Sequence, residues 1–159
     1  MRTEIELTDV YYEKFAALFL FKLLAERLPE ESISHKSMPS YTAHAQFVLS
    51  RPYLAWYLIK TTTAPKDWVG AVYITRANEL GISIAADYRR KGYARVALQE
   101  IMRRHKPEPG VSSEPAKPFL ANINPRNEAS IKLFTGLGAV HIQNTYAFEE
   151  GITWETVQK

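Results

Sequence analysis

One stretch constrains the fold of this chain more than any other: Glu79-Leu-Gly-Ile-Ser-Ile-Ala-Ala-Asp-Tyr-Arg-Arg-Lys-Gly-Tyr-Ala94. Its first half alternates, with Leu80, Ile82 and Ile84 on one face and Glu79, Gly81 and Ser83 on the other, which reads as a strand with two distinct faces. Its second half is a basic loop with a glycine. Beyond it, Ala94, Ala97, Leu98 and Ile101 recur at helical spacing to about His105. A helix N-terminus carries unpaired N–H groups and partial positive charge. A glycine there lets backbone approach a phosphate closely and tolerates φ > 0. Arg89, Arg90 and Lys91 add full charges, so the turn is a pyrophosphate-sized site.

The remaining elements follow from periodicity and breakers. Ile5 to Thr8 suits a short strand, and Tyr11 to Arg27 a long helix, with Phe15, Leu18, Phe19 and Leu23 at helical spacing and Pro29 beyond its end. Leu20, Phe21 and Leu24 make that helix apolar on more than one face, so it is either deeply buried or lines a substrate or partner surface. Tyr41 to Leu49 reads as a second helix with Ser40 as its cap. Tyr53–Thr61 and Trp68–Thr75 are rich in aromatic and β-branched residues and read as a hairpin. The proline-rich stretch from Lys106 to Pro118 is a loop, Phe119 to Ile123 a short buried strand, and Asn127 to Leu137 a helix closed by Gly138. Val140–Ile142, Thr145–Phe148 and Ile152–Val157 suit final strands. Helices and strands mix without strict alternation, which gives an α+β (mixed α/β) class.

Size and charge narrow the function. A chain of 159 residues with 46% hydrophobic and 23% charged residues is one domain with a sizeable core, spanning 1–159. The absence of cysteine excludes a disulfide scaffold, Cys-ligated zinc, an iron–sulfur cluster and a Cys nucleophile. No His/Asp/Glu spacing suggests a metal site, and no G-x-S-x-G turn supports a serine hydrolase. The apolar run Phe15–Phe21 is too short to span a membrane and the N-terminus lacks a signal-peptide pattern, so a soluble, cytoplasmic protein is expected. The net charge is +3, yet Asp87 to Lys106 alone is +5, so the remainder sums to −2. Charge this local suits a small polyanion better than a nucleic acid, and no aromatic stacking surface accompanies it.

The segment Arg89-Arg90-Lys91-Gly92-Tyr93-Ala94 resembles the (Q/R)-x-x-G-x-(G/A) acetyl-CoA signature of the GNAT N-acetyltransferase superfamily. Asn127-Glu-Ala-Ser130-Ile-Lys-Leu-Phe134-Thr-Gly-Leu-Gly138 resembles that family's later N-x-x-(A/S) helix, and Phe119–Ile123 its fifth strand. The resemblance covers nearly the whole chain. It implies a central mixed, mostly antiparallel sheet that splays at a bulge between strands four and five, flanked by about four helices. It also implies acetyl-CoA as cosubstrate. The pantetheine arm would lie along the backbone of Ile82, Ile84, Ala85 and Ala86, where an N–H would stabilise the oxyanion, and the pyrophosphate on Arg89, Arg90, Lys91, Gly92, Tyr93 and Ala94. Asn122, Asn127, Ser130 and Phe134 would complete the cofactor set. A primary amine would attack the thioester directly, without a covalent enzyme intermediate.

The proton-handling roles are more open. Glu79 stands near where some family members place a general base. Many relatives carry a tyrosine acid where this chain has Phe134, which cannot donate a proton, and Tyr146 is the substitute candidate. His35 and His44 lie in the region that would form the acceptor lid, whereas His105 and His141 read as structural. The aromatic residues Tyr53, Trp56, Tyr57, Trp68 and Tyr73 form either core or a stacking wall, with His44, Tyr53 and Trp56 as the substrate-binding expectation. These runs loosely resemble GNAT members that acetylate amino sugars on nucleotide carriers. The rivals are a protein or peptide N-acetyltransferase and a CoA-binding module that has lost catalysis. The expected partners are a small-molecule amine or amino-sugar acceptor, with no nucleic acid and no membrane, and with room for a homodimer.

Overall fold

The computed structural model describes residues 4–28, 32, 37–107 and 118–148. Four strands, β1 (Ile5–Asp9), β2 (Ala55–Thr61), β3 (Trp68–Ile74) and β4 (Leu80–Ile84), form one sheet in sequence order, each antiparallel to its neighbour. The register pairs Leu58 with Ala71 and Val72 with Ile82, and it shifts at Ile59/Lys60, where Val69 is the extra residue of a bulge. The sheet lies between two helical layers. Helices α1 (Ala16–Ala25) and α2 (Tyr41–Leu49) cover one face, where Leu20, Leu23 and Val48 pack on Trp56, Leu58 and Ala71. Helices α3 (Tyr93–Arg104) and α4 (Glu128–Gly136) cover the other, where Ala97, Leu98, Ile101 and Phe134 pack on Ile59, Val72, Ile74 and Leu80.

Local chemistry sets several of these boundaries. The Ser40 hydroxyl accepts from the Ala43 N–H at 3.1 Å and starts α2 at the expected residue. The Asn127 side chain accepts from the Ser130 N–H at 3.1 Å and starts α4. That helix ends with Gly138 at φ 99°, the Ala139 N–H reaching the Phe134 carbonyl and the Gly138 N–H the Thr135 carbonyl, a Schellman closure.

Three expectations need correction. The N-terminal helix is shorter than Tyr11–Arg27. The Asp9 carboxylate accepts from the Tyr11 N–H at 2.8 Å, fixing a separate 3-10 turn at Val10–Tyr12, and Glu13 is extended, so α1 begins only at Ala16. Phe119–Ile123 is no strand: it touches the sheet through one parallel bridge, Glu79 to Leu120, then departs, and it is half-buried with Asn122 exposed. Val140–Ile142 and Thr145–Phe148 have no regular secondary structure and pair with no strand among the described residues, leaving Val140, Ile142, Tyr146 and Phe148 exposed. Alternation is a strand signal, but a strand exists only where another strand accepts its ladder. The expected strand at Ile152–Val157 lies outside the described residues. Among the described residues no helix is long and apolar enough to cross a membrane.

Candidate active site

The open side of β4 is the first component. In an antiparallel ladder alternate residues turn their N–H and C=O toward the partner strand. The Glu79 carbonyl accepts from Thr75 and the Ala85 N–H donates to Val69, so residues 79, 81, 83 and 85 face β3. Leu80, Ile82 and Ile84 therefore face outward. The Leu80 N–H is taken by the Leu120 carbonyl at 2.7 Å, and the Ile84 carbonyl accepts from Arg89 Nε at 3.0 Å. Between these two ends the 119–123 segment has parted from β4, and the Ile82 N–H and C=O and the Ile84 N–H point into the gap. The splay is anchored at its closed end by Glu79, which accepts from the Asn122 amide at 2.7 Å and from the Thr75 hydroxyl at 3.1 Å.

The second component is the turn into α3. Gly92 caps that helix at φ 86°, a left-handed conformation that favours glycine, and no side chain caps the helix's first N–H groups. Tyr93 and Ala94 open its first turn. Lys91 Nζ donates to the Asp87 carbonyl at 2.8 Å, and Arg90 is exposed at φ 59°. The Ala86 N–H is held by the Glu26 carboxylate at 2.8 Å, which ties the end of α1 to the end of β4. The basic segment of the sequence is thus two separate places. Arg89, Arg90, Lys91 and Arg95 gather at the start of α3. Arg103 and Arg104, at its other end about 15 Å away at 1.5 Å per residue, clasp Glu100 at 2.8 and 2.7 Å and hold its carboxyl down at about 2.

The third component is a cavity of about 310 Å³ between the sheet and the α1/α2 layer. Its lining includes Leu20, Leu24 and Arg27 from the α1 end, His44 and Phe47 from α2, and Tyr53, Trp56, Tyr73 and Ser83 from the sheet side. Tyr53 stacks flat on Tyr73 at 4.0 Å and meets Trp56 edge-on at 4.7 Å. Tyr73 in turn lies on Gly81, where an added Cβ would come within 2.0 Å of its ring, so only a glycine at 81 admits this stack. Burial, then the neighbouring Tyr73 hydroxyl, push the Tyr53 phenol well above its ordinary value, so it stays protonated. His44 is 7% exposed and, among the described residues, its Nε2 has no hydrogen-bond partner. Burial lowers its pKa, partly offset by the Ala17 backbone, so the ring is neutral near pH 7.

The structure brings His44, Tyr53 and Trp56 into one cavity and puts Ile82 and Ile84 on the open edge that leads to Arg89–Ala94, but the Ala85 N–H is taken by Val69 and the Ala86 N–H by Glu26, so the backbone N–H groups of these two expected cofactor residues are engaged within the protein. It does not bring Glu79 or Tyr146 to the cavity. Glu79 lies four residues from Ser83, about 13 Å along the strand, with both carboxylate oxygens engaged; Tyr146 is 87% exposed on the unpaired segment. Phe134 is a core residue at 8% exposure, packed with the α3 face, and Asn127 and Ser130 are engaged with each other at the α4 cap. His35 lies outside the described residues. Tyr57 sits on the opposite face from Trp56, where its hydroxyl meets His105 Nε2 at 2.8 Å. Burial, then Arg104, lower the His105 pKa, so the neutral ring serves Tyr57 in a structural contact. Trp68 packs outside the cavity against Phe19. Sequence reasoning missed Arg27, Phe47 and Ser83. Strand alternation did carry a signal for Ser83, since it shares a face with Gly81, but nothing local marks the other two.

Comparison with known proteins identifies the family and the fold. The sequence model of the acetyltransferase (GNAT) domain matches residues 28–140. Among solved structures, a domain from Methanocaldococcus jannaschii superposes with a TM-score of 0.68 at 19% identity, covering 86% of this chain and 88% of that one. A spermidine/spermine N-acetyltransferase from Vibrio cholerae gives 0.60 at 16% identity, covering 87% and 81%. An aminoglycoside antibiotic 6'-N-acetyltransferase from Acinetobacter haemolyticus gives 0.56 at 13% identity, covering 94% and 99%. At these identities the likeness concerns the fold. No curated protein matches the chain in sequence.

Proposed function

The chain belongs to the GNAT acetyltransferase family, and from that premise we propose that it transfers the acetyl group of acetyl-CoA to a primary amine held in the aromatic cavity, within one ternary complex. The observation that carries this reading is the meeting of two features at Ser83. That residue lines the cavity, while its neighbours Ile82 and Ile84 turn backbone polar groups into the gap beside it. An extended amide-bearing arm fits such an unpaired edge as an added strand would. The uncapped N–H groups of α3, with Gly92 and Arg90 beside them, fit a pyrophosphate.

Bound acetyl-CoA supplies the electrophilic thioester. The acceptor amine adds to its carbonyl carbon, the C–S bond breaks, the acetyl group stays on nitrogen, and CoA leaves as the thiol. The Ile84 N–H is the donor we assign to the carbonyl oxygen as charge develops there. An ammonium acceptor must first lose a proton. His44 is the cavity group we assign to that proton, because burial keeps its imidazole neutral. Glu79 we assign a positioning role, holding Asn122 and hence the closed end of the splay. Asn127 and Ser130 fix the start of α4. The acceptor we favour is an amine on a ring-bearing carrier, an amino sugar on a nucleotide being one such; the stacked Tyr53 and Tyr73 and the adjacent Trp56 support it.

The test is to mix protein, acetyl-CoA and an amine panel and to follow thiol. Thiol appearing only with amine supports the reading. CoA binding with no turnover on any amine identifies a lapsed binding module, and absence of CoA binding removes the proposal.

A further inference from the structure

We propose that the acceptor carries an anionic group, a carboxylate or a phosphate, in addition to its amine, and that Arg27 is the residue that recognises it. The inference rests on the acetyltransferase reading of the same cavity and adds its charge selectivity.

Arg27 follows the C-terminus of α1, its backbone N–H closing on the Leu24 carbonyl at 3.2 Å. Its side chain is half-buried, lines the cavity and acts electrostatically on the Tyr53 hydroxyl. Among the described residues its guanidinium has no hydrogen-bond or ion-pair partner. Other arginines in the molecule are engaged: Arg95 donates to the Gly136 carbonyl, Arg103 and Arg104 to Glu100, and Arg51 lies over the Tyr11 ring at 4.1 Å. Arg76, Arg90 and Arg126 are exposed, where water serves as partner. A guanidinium lining a cavity that also holds stacked aromatic rings is placed for a planar or multi-oxygen anion, which it binds with two parallel N–H donors.

The rest of the cavity agrees. Among the described lining residues there is no Asp or Glu, while aromatic and aliphatic side chains predominate. A polyamine would meet a like charge here and find no carboxylate among those residues to answer its second ammonium, a penalty that itself confers selectivity. An amine whose own anion faces Arg27 brings the compensating charge with it. The volume suits one ring or one short apolar side chain with its polar groups.

The experiment uses paired probes that differ only in the anion. Phenylalanine is set against phenylalaninamide for the carboxylate, glucosamine 6-phosphate against glucosamine for the phosphate, and spermidine serves as the polycation. Thiol release is measured for the intact protein, Arg27→Gln and Arg27→Lys, and thermal shift by each probe is measured in parallel. In the intact protein we expect the anionic member of at least one pair to show a KM about tenfold or more below its neutral twin, one charge-assisted contact's worth. Arg27→Gln should erase that ratio by raising the KM of the anionic twin to that of the neutral one, and Arg27→Lys should restore part of it. Whichever pair responds identifies carboxylate or phosphate. Preference for spermidine or the neutral twins, or an unchanged ratio in Arg27→Gln, overturns the inference while the acetyltransferase reading stands. If no probe releases thiol, an anion-dependent thermal shift lost in Arg27→Gln upholds Arg27 against the transfer reading, and its absence overturns both.

Discussion

The two faces of the sheet are built from the same four strands and serve different ends. On the α3/α4 face Val72, Ile74, Ala97, Leu98 and Ile101 are fully buried, and the packing is mainly aliphatic. On the α1/α2 face Tyr53, Trp56 and Tyr73 stand beside a cavity, with the His44 Nε2 and the Arg27 guanidinium both without protein partners among the described residues. Close aliphatic packing transmits no chemistry but fixes geometry. The other face tolerates a void and incompletely satisfied polar groups, which cost stability and make a binding site. The difference teaches where to look for function in this fold: on the face whose side chains do not finish one another.

Truncation on each face breaks or sharpens that contrast most forcefully. Leu98→Ala removes a fully buried side chain and should cost about 2–5 kcal/mol in denaturant unfolding. Phe47→Ala, at a cavity-lining residue 43% exposed, should cost less than half as much and instead raise the acceptor KM. Equal stability losses would erase the distinction. Next in size, Gly92→Val forces a β-branched residue into φ 86° and blocks the approach to α3, so CoA affinity should fall about a hundredfold or more with the fold retained; calorimetric titration reads this directly.

The proton assignments give a finer test. His44→Gln should lower turnover by about 10²-fold with CoA affinity unchanged, whereas Glu79→Gln should lower it only a few-fold, because that carboxylate serves Asn122 and Thr75. The reverse order in steady-state assays would return the base to Glu79. The smallest effect is on pH and stability. His44 and His105 both have folded-state pKa values below the ordinary 6.5, so the unfolded chain binds more protons. Their contribution is full above the ordinary value and is lost as pH falls from about 6.5 through the lowered values. Melting temperatures measured between pH 7.5 and 5 should decline, less steeply in His44→Gln. An unaltered slope would mean that the buried ring is not penalised.

Much of the scaffold was legible because its signals are local. Ser40 and Asn127 cap their helices as a polar residue before an apolar run should, Gly138 closes α4, and Gly92 takes the positive φ that the basic loop required. The cavity was only partly legible. Its walls come from α1, α2 and three strands, and no spacing rule places Arg27 beside Tyr53 across 25 residues. The apolar surplus of α1 implies either core or a lining surface, and it serves as both: Leu20 and Leu23 are buried in the core and also line the cavity, with Leu24 beside them. The 139–148 segment shows the converse. Val140, Ile142, Tyr146 and Phe148 share one phase of alternation, broken only at Asn144, yet β4 has β3 to pair with, and 139–148 has no such neighbour among the described residues.

The single bridge between Glu79 and Leu120 has a consequence in time rather than in shape. A residue inside a ladder is released only when its neighbours on both sides are released, so the β3 amides at the sheet's centre wait for opening of the whole molecule. The 119–123 segment is held to the sheet by two backbone hydrogen bonds at Leu120, by the Asn122 side chain, and by the half-buried Phe119, Ala121 and Ile123 on the core, with no ladder. Its separation from β4 disturbs no other pair. Exchange of its amide hydrogens should therefore run at the rate of local fluctuation, orders of magnitude ahead of Ala71 and Val72, and the gap beside Ile82 can widen and narrow while the scaffold a few ångströms away stays folded.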